Sequence, residues 1–133
     1  TSQSTINNIY DLYNEEYNEA QQDSEICENI LNYIQRVIDK LGVEYANKIN
    51  KVTHIYTLFV SIYAFITEKF YGKCDDEVLT AVCDFYALYF DDKHDNAYIT
   101  NYLLYAQDAV ASVNSRMERY NSLVAYVKDK LLN

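Results

Sequence analysis

The sequence predicts an all-α fold, a compact antiparallel bundle of about five to six helices, on three observations. Apolar residues recur at spacings of three and four along almost the whole chain, which is the period of one helix face. There is no proline, and the two glycines, Gly42 and Gly72, each follow an apolar-periodic run. β-Sandwiches and barrels need turn residues every ~8–12 positions, and this chain does not have them. The third observation is core-forming content: half of the 133 residues are hydrophobic, with 15 Tyr and 5 Phe. That suffices for one helical domain spanning residues 1–133 without disulfides or metal. Connections of about two to six residues favour antiparallel neighbours. The chain opens on Thr1, so a processed product and a fragment of a longer protein both stay open.

The elements follow in order. Ile6, Ile9, Tyr10, Tyr13 and Tyr17 form one stripe and predict a first helix over about residues 5–20. Asp23 or Ser24 caps a second helix, with Glu25 in its first turn, where the helix dipole favours a carboxylate. Its inward stripe is Ile26, Cys27, Ile30, Leu31, Ile34, Val37, Ile38 and Leu41. Gly42 then closes it, since a left-handed residue is cheapest without a Cβ. Residues 43–51 are shorter and more polar, one or two turns. A third main helix, residues 53–71, is apolar over much of its circumference, which marks a central helix. Gly72 ends it.

Asp75 or Asp76 caps a fourth helix over about residues 77–90, with Val78, Leu79, Val82, Phe85, Tyr86 and Tyr89 inward. Residues 91–95, Asp-Asp-Lys-His-Asp, read as a polar loop. A fifth helix over about 97–110 presents Ile99, Tyr102, Leu103, Ala106 and Val110. The last, over about 115–131, turns Met117, Tyr120, Leu123, Val124, Val127 and Leu131 inward.

Charge and cysteine usage narrow the function classes. Eleven Lys+Arg against 20 Asp+Glu give a formal charge of −9. Nucleic-acid affinity comes largely from basic residues that displace counterions from phosphates, so direct binding to DNA or RNA is not expected. The acidic excess serves solubility, or else it mimics nucleic acid. Cys27, Cys74 and Cys83 are odd in number and lack a Cys-x-x-Cys or metal-like spacing, which fits reduced thiols in a cytoplasmic protein. No leader and no run of ~18 apolar residues is present, so neither secretion nor membrane spanning is expected.

Little in the chain suggests catalysis. His54 begins the central helix far from any cysteine and reads as a helix-start residue. His94 stands among carboxylates in the 91–95 loop, but adjacent residues on a flexible turn rarely preorganise a metal site. A catalyst built on His94 is the weakest of three functional readings. Two isolated glycines cannot write a phosphate-binding loop or a dinucleotide fingerprint, and no zinc-protease or di-iron motif occurs. The Arg-then-His pair of HEPN ribonucleases is missing, and the Asn-Trp-Gly-Arg signature of Bcl-2-like proteins cannot occur without Trp. No enzyme activity, metal or cofactor is therefore expected.

Two features point to binding instead. Most tyrosines fall at stripe positions, where the ring packs and the hydroxyl reaches the rim, and the rest suit an exposed interface. Arginine is scarce: Arg36, Arg116 and Arg119 are all there are. Arg116 and Arg119 stand at i and i+3 at the opening of the last helix. Either they neutralise the domain's own carboxylates, or they join Ser112, Ser115 and the free N–H groups of the helix start in a spot for phosphate or carboxylate.

From about Ile9 onward the layout resembles the helical C-terminal region of ParB-like, nucleotide-dependent defence proteins of the GmrSD type. An acidic helix pair, residues 6–41, comes first. An aromatic helix follows after the basic step Asn47-Lys48-Ile49-Asn50-Lys51, and a Ser-x-x-x-Arg-x-x-Arg-hydrophobic entry, Ser112 to Tyr120, opens the terminal helix. The family's nucleotide-binding motif and an HNH-type nuclease motif are absent. The resemblance therefore implies an isolated helical portion without catalytic parts, acting as a scaffold or partner-sensing domain in prokaryotic or phage-related defence.

The leading expectation is a non-catalytic interaction domain that holds a protein partner, a neighbouring domain or a second copy of itself. It would do so through an aromatic helix face, with Ser112, Ser115, Arg116 and Arg119 anchoring an acidic or phosphate group. The alternative is a stand-alone acidic inhibitor, phage- or virus-encoded, that fills the basic channel of a host nucleic-acid enzyme.

Overall fold

The computed structural model describes residues 24–67, 75–92, 95–107 and 111–132, and among these every regular element is an α-helix. Six helices are present: α1 (Ser24–Leu41), α2 (Val43–Ile49), α3 (Val52–Thr67), α4 (Asp75–Phe90), α5 (Ala97–Tyr105) and α6 (Val113–Leu132). The chain divides near residue 70 into two compact units, the first holding α1–α3 and the second α4–α6. The expected helix over 5–20, the stop at Gly72, Cys74, His94 and Val110 lie outside the described residues.

In the first unit, α1 packs on both α2 and α3. Ile30, Ile34 and Val37 of the expected stripe are fully covered, and Tyr33 joins them. The rest of that stripe, from Ile26 to Leu41, is half-buried. Glu25 occupies the first turn and Lys40 the last, each complementing its end of the helix dipole.

Gly42 links α1 to α2. Its N–H donates to the Ile38 carbonyl at 3.1 Å, and its own carbonyl accepts from Tyr45 and Ala46. The conformation, φ 89° and ψ 173°, is not the left-handed helical cap expected from the sequence. It lies in an extended positive-φ region open essentially to glycine alone. The reason is topological: Gly42 both ends α1 and opens α2, and the chain must change direction within that residue.

α3 is buried without a break from His54 to Ile62, and Phe65 is buried a turn later. That continuous burial is what a helix without a polar face requires. Its few polar groups are handled locally: Thr57 Oγ1 donates to the Thr53 carbonyl at 2.9 Å. His54, expected as a helix-start residue, is the third residue of α3 and is buried.

In the second unit α6 runs antiparallel to both neighbours. Against α5, Tyr98 meets Tyr126, Asn101 Nδ2 donates to Ser122 Oγ at 2.8 Å, and Arg119 reaches the carbonyl of Tyr105. Against α4, Lys130 pairs with Asp84 at 3.1 Å while Phe85 packs on Tyr126. Phe85 is the hub: it meets Tyr86, Tyr102 and Tyr126 edge-on at ring separations of 5.1–5.2 Å. Edge-to-face pairs of this kind add ~0.5–1.5 kcal/mol each beyond the area they bury.

Helix boundaries in this unit differ from the sequence pattern. α4 starts at Asp75, so Asp75 and Asp76 sit inside the first turn rather than before it. α4 closes through Asp92, whose N–H donates to the Tyr89 carbonyl at 3.3 Å with a left-handed φ of 59°. Asn96 caps α5, its Oδ1 accepting from the N–H groups of Tyr98 and Ile99 at 2.8 and 3.3 Å. α5 stops at Tyr105, short of the expected residue 110, where the Ala106 N–H turns back to the Leu103 carbonyl. No proline or glycine marks that stop. α6 begins at Val113 rather than near residue 115, because Ser112 is its cap.

Candidate partner-binding surface

The opening of α6 carries all four residues singled out as an anchor, and they have separate surroundings. Ser112 Oγ accepts the Ser115 N–H at 3.1 Å, and its carbonyl accepts the Arg116 N–H at 3.0 Å. That is the ordinary geometry of a hydroxyl N-cap, which uses one of the free helix-start donors internally. Ser115 is buried. Arg116 is half-buried and remains at the surface.

Arg119 goes inward. It is 1% exposed, and its Nη1 donates to the Tyr105 carbonyl at 2.7 Å. The guanidinium thus takes the last carbonyl of α5, an end that carries partial negative charge. Ser115 and Ser122, roughly one turn before and after on the same side, are also buried and have small side chains that leave room for it. The two arginines therefore do not converge on one exposed spot. Their spacing of three turns them to different surroundings: Arg119 toward α5, Arg116 toward the rim.

Arg119 also acts on the tyrosines of α4. The Tyr86 hydroxyl is hydrogen-bonded to that of Tyr102 at 2.9 Å. Burial first, and then the neighbouring Tyr102, hold the Tyr86 hydroxyl well above its ordinary value of 10.0, while the Arg119 charge pulls the other way. Tyr89 is raised too, by burial, with Arg119 again opposing and Asp92 adding to the rise. These hydroxyls stay protonated at neutral pH, so they act as packing and hydrogen-bonding groups and not as bases.

Beside the exposed Ser112 and Asn114, the start of α6 exposes large apolar side chains. Val113 is 65% exposed and Met117, one turn on, is 52% exposed. Leu104, at the α5 end that lies against this part of α6, is 58% exposed. Met117 was expected to point inward, and the structure corrects this. Val124 has nearly the same azimuth two turns later and is buried, so the cover it receives does not extend back to the helix start. The helix phase is set by Ser115, Arg119, Ser122, Leu123, Tyr126 and Val127, and the polar members of that set hide the phase from a hydrophobic stripe.

Among the described residues no group of three or more His, Cys, Asp or Glu is placed to hold a metal ion. Cys27 is half-buried and Cys83 buried, and burial raises the Cys27 thiol. An open groove of about 390 Å³ lies between the start of α4 and the end of α6. No single described helix is long and apolar enough to cross a membrane. The apolar run through α2 and α3 is bent by 94° and is accounted for by the burial of Ile49 and most of α3. Comparison with protein-family models, with curated proteins and with solved structures finds no match.

Proposed function

We propose that the chain is a non-catalytic helical interaction domain that docks a protein partner on the outer side of the α6 start. Leu104, Val113 and Met117 supply its apolar centre, and Arg116 lies at its rim. The observation that supports this reading is the exposure of these three large apolar side chains at one end of the second unit. Exposed apolar patches with a polar rim mark interaction sites, and methionine adapts to varied partner shapes. In this reading Ser112, Ser115 and Arg119 build the surface and Arg116 contacts the partner. The setting that the sequence resemblance suggests is prokaryotic or phage-related defence, in the cytoplasm, with no cofactor and no direct contact to nucleic acid.

The acidic-inhibitor reading draws on the −9 charge and on Asp91, Asp92 and Asp95, all exposed around the turn after α4. One experiment separates the two. A photo-crosslinking residue is placed at Met117 in one protein and at Asp91 in another, and both are irradiated in extract of the native host at two salt concentrations. The docking reading predicts a discrete product from position 117 that persists at high salt and disappears when Val113 is changed to Glu. A product from position 91 alone, lost at high salt, would replace it with the inhibitor reading.

A further inference from the structure

We draw no further inference here: the strongest candidate, the open groove between the start of α4 and the end of α6 lined by Asp76, Glu77, Ala81, Asp84, Lys130 and Leu131, rests on an acidic cluster at a helix start, with nothing in the structure to show what fills it.

Discussion

Replacing Arg119 by Ala tests whether this arginine belongs to the interior or to a binding site. The side chain is 1% exposed and makes a 2.7 Å bond from a charged donor to the Tyr105 carbonyl. Hydrogen bonds with a charged partner contribute about 1.5–3 kcal/mol. Truncation also removes a buried stem and leaves a void, at about 2 kcal/mol or more for side chains of this size. Part of this is returned, because a desolvated cation no longer has to be held inside. The net expectation is a loss of about 2–4 kcal/mol, measured by urea unfolding followed by circular dichroism. Arg119→Met keeps most of the stem, so it should lose less than the Ala variant. A second signature comes from the tyrosines: without the Arg119 charge, Tyr86 and Tyr89 should ionise at still higher pH, because that charge now favours their anions. An Arg119→Ala protein within ~0.5 kcal/mol of wild type, but deficient in partner binding, would refute the assignment to the interior.

The other expectations are more local. Gly42→Ala should cost about 1–2 kcal/mol, all of it backbone strain, because an added Cβ meets nothing within 4 Å; Gly42→Asn should not recover the loss, and near-full recovery in unfolding experiments would mean an ordinary left-handed cap. Phe85→Ala should cost about 3–5 kcal/mol, since the ring is fully buried among three tyrosines; a loss under ~1 kcal/mol would remove Phe85 from the hub. Stability should hold up to about pH 10 and then fall as pH rises toward the elevated folded-state values of Tyr86 and Tyr89. The unfolded chain releases those protons first, at up to ~1.4 kcal/mol per pH unit for each group. Tyrosinate absorbance that rises fully at pH 10 with the helix signal intact would contradict this. Asp92→Gly should stabilise by up to ~1 kcal/mol, because a left-handed φ of 59° costs an aspartate more than a glycine; a clear loss would point to a structural role for its carboxylate.

Helix type and most inward faces were legible because they depend on a period that the residues carry openly. Ile30, Ile34 and Val37, the α3 run, Val78, Val82, Phe85 and Tyr86 are all buried as their spacing requires. Boundaries were less legible where the stop is made by distant groups. α5 ends at Tyr105, and the group that takes its last carbonyl stands 14 residues away on α6. No local turn residue announces that. At the α6 start the sequence did not show which side chains face outward. The Ser-x-x-x-Arg-x-x-Arg entry drew notice to the α6 start, yet a charge is ordinarily read as exposed and a Met as buried. Here both are reversed, since burying Arg119 with a carbonyl partner sets the helix phase and turns Val113 and Met117 outward. Two buried serines flanking an arginine at −4 and +3 were the available signal, because small side chains there make room for a large one.

In the proposed function the α6 start recognises a partner through its apolar face while Arg119 holds the unit together. The most direct test measures association and melting temperature on the same proteins: wild type, Val113→Glu with Met117→Glu, and Arg119→Ala. Association is read from the position-117-independent crosslink yield of a probe at Leu104. The double Glu variant should melt as wild type does, since exposed substitutions stay within about 0.5 kcal/mol, and should lose the crosslink. Arg119→Ala should melt lower and, at a temperature where it remains folded, keep the crosslink. A double Glu variant that crosslinks as strongly as wild type would show that the partner does not dock on Val113 and Met117.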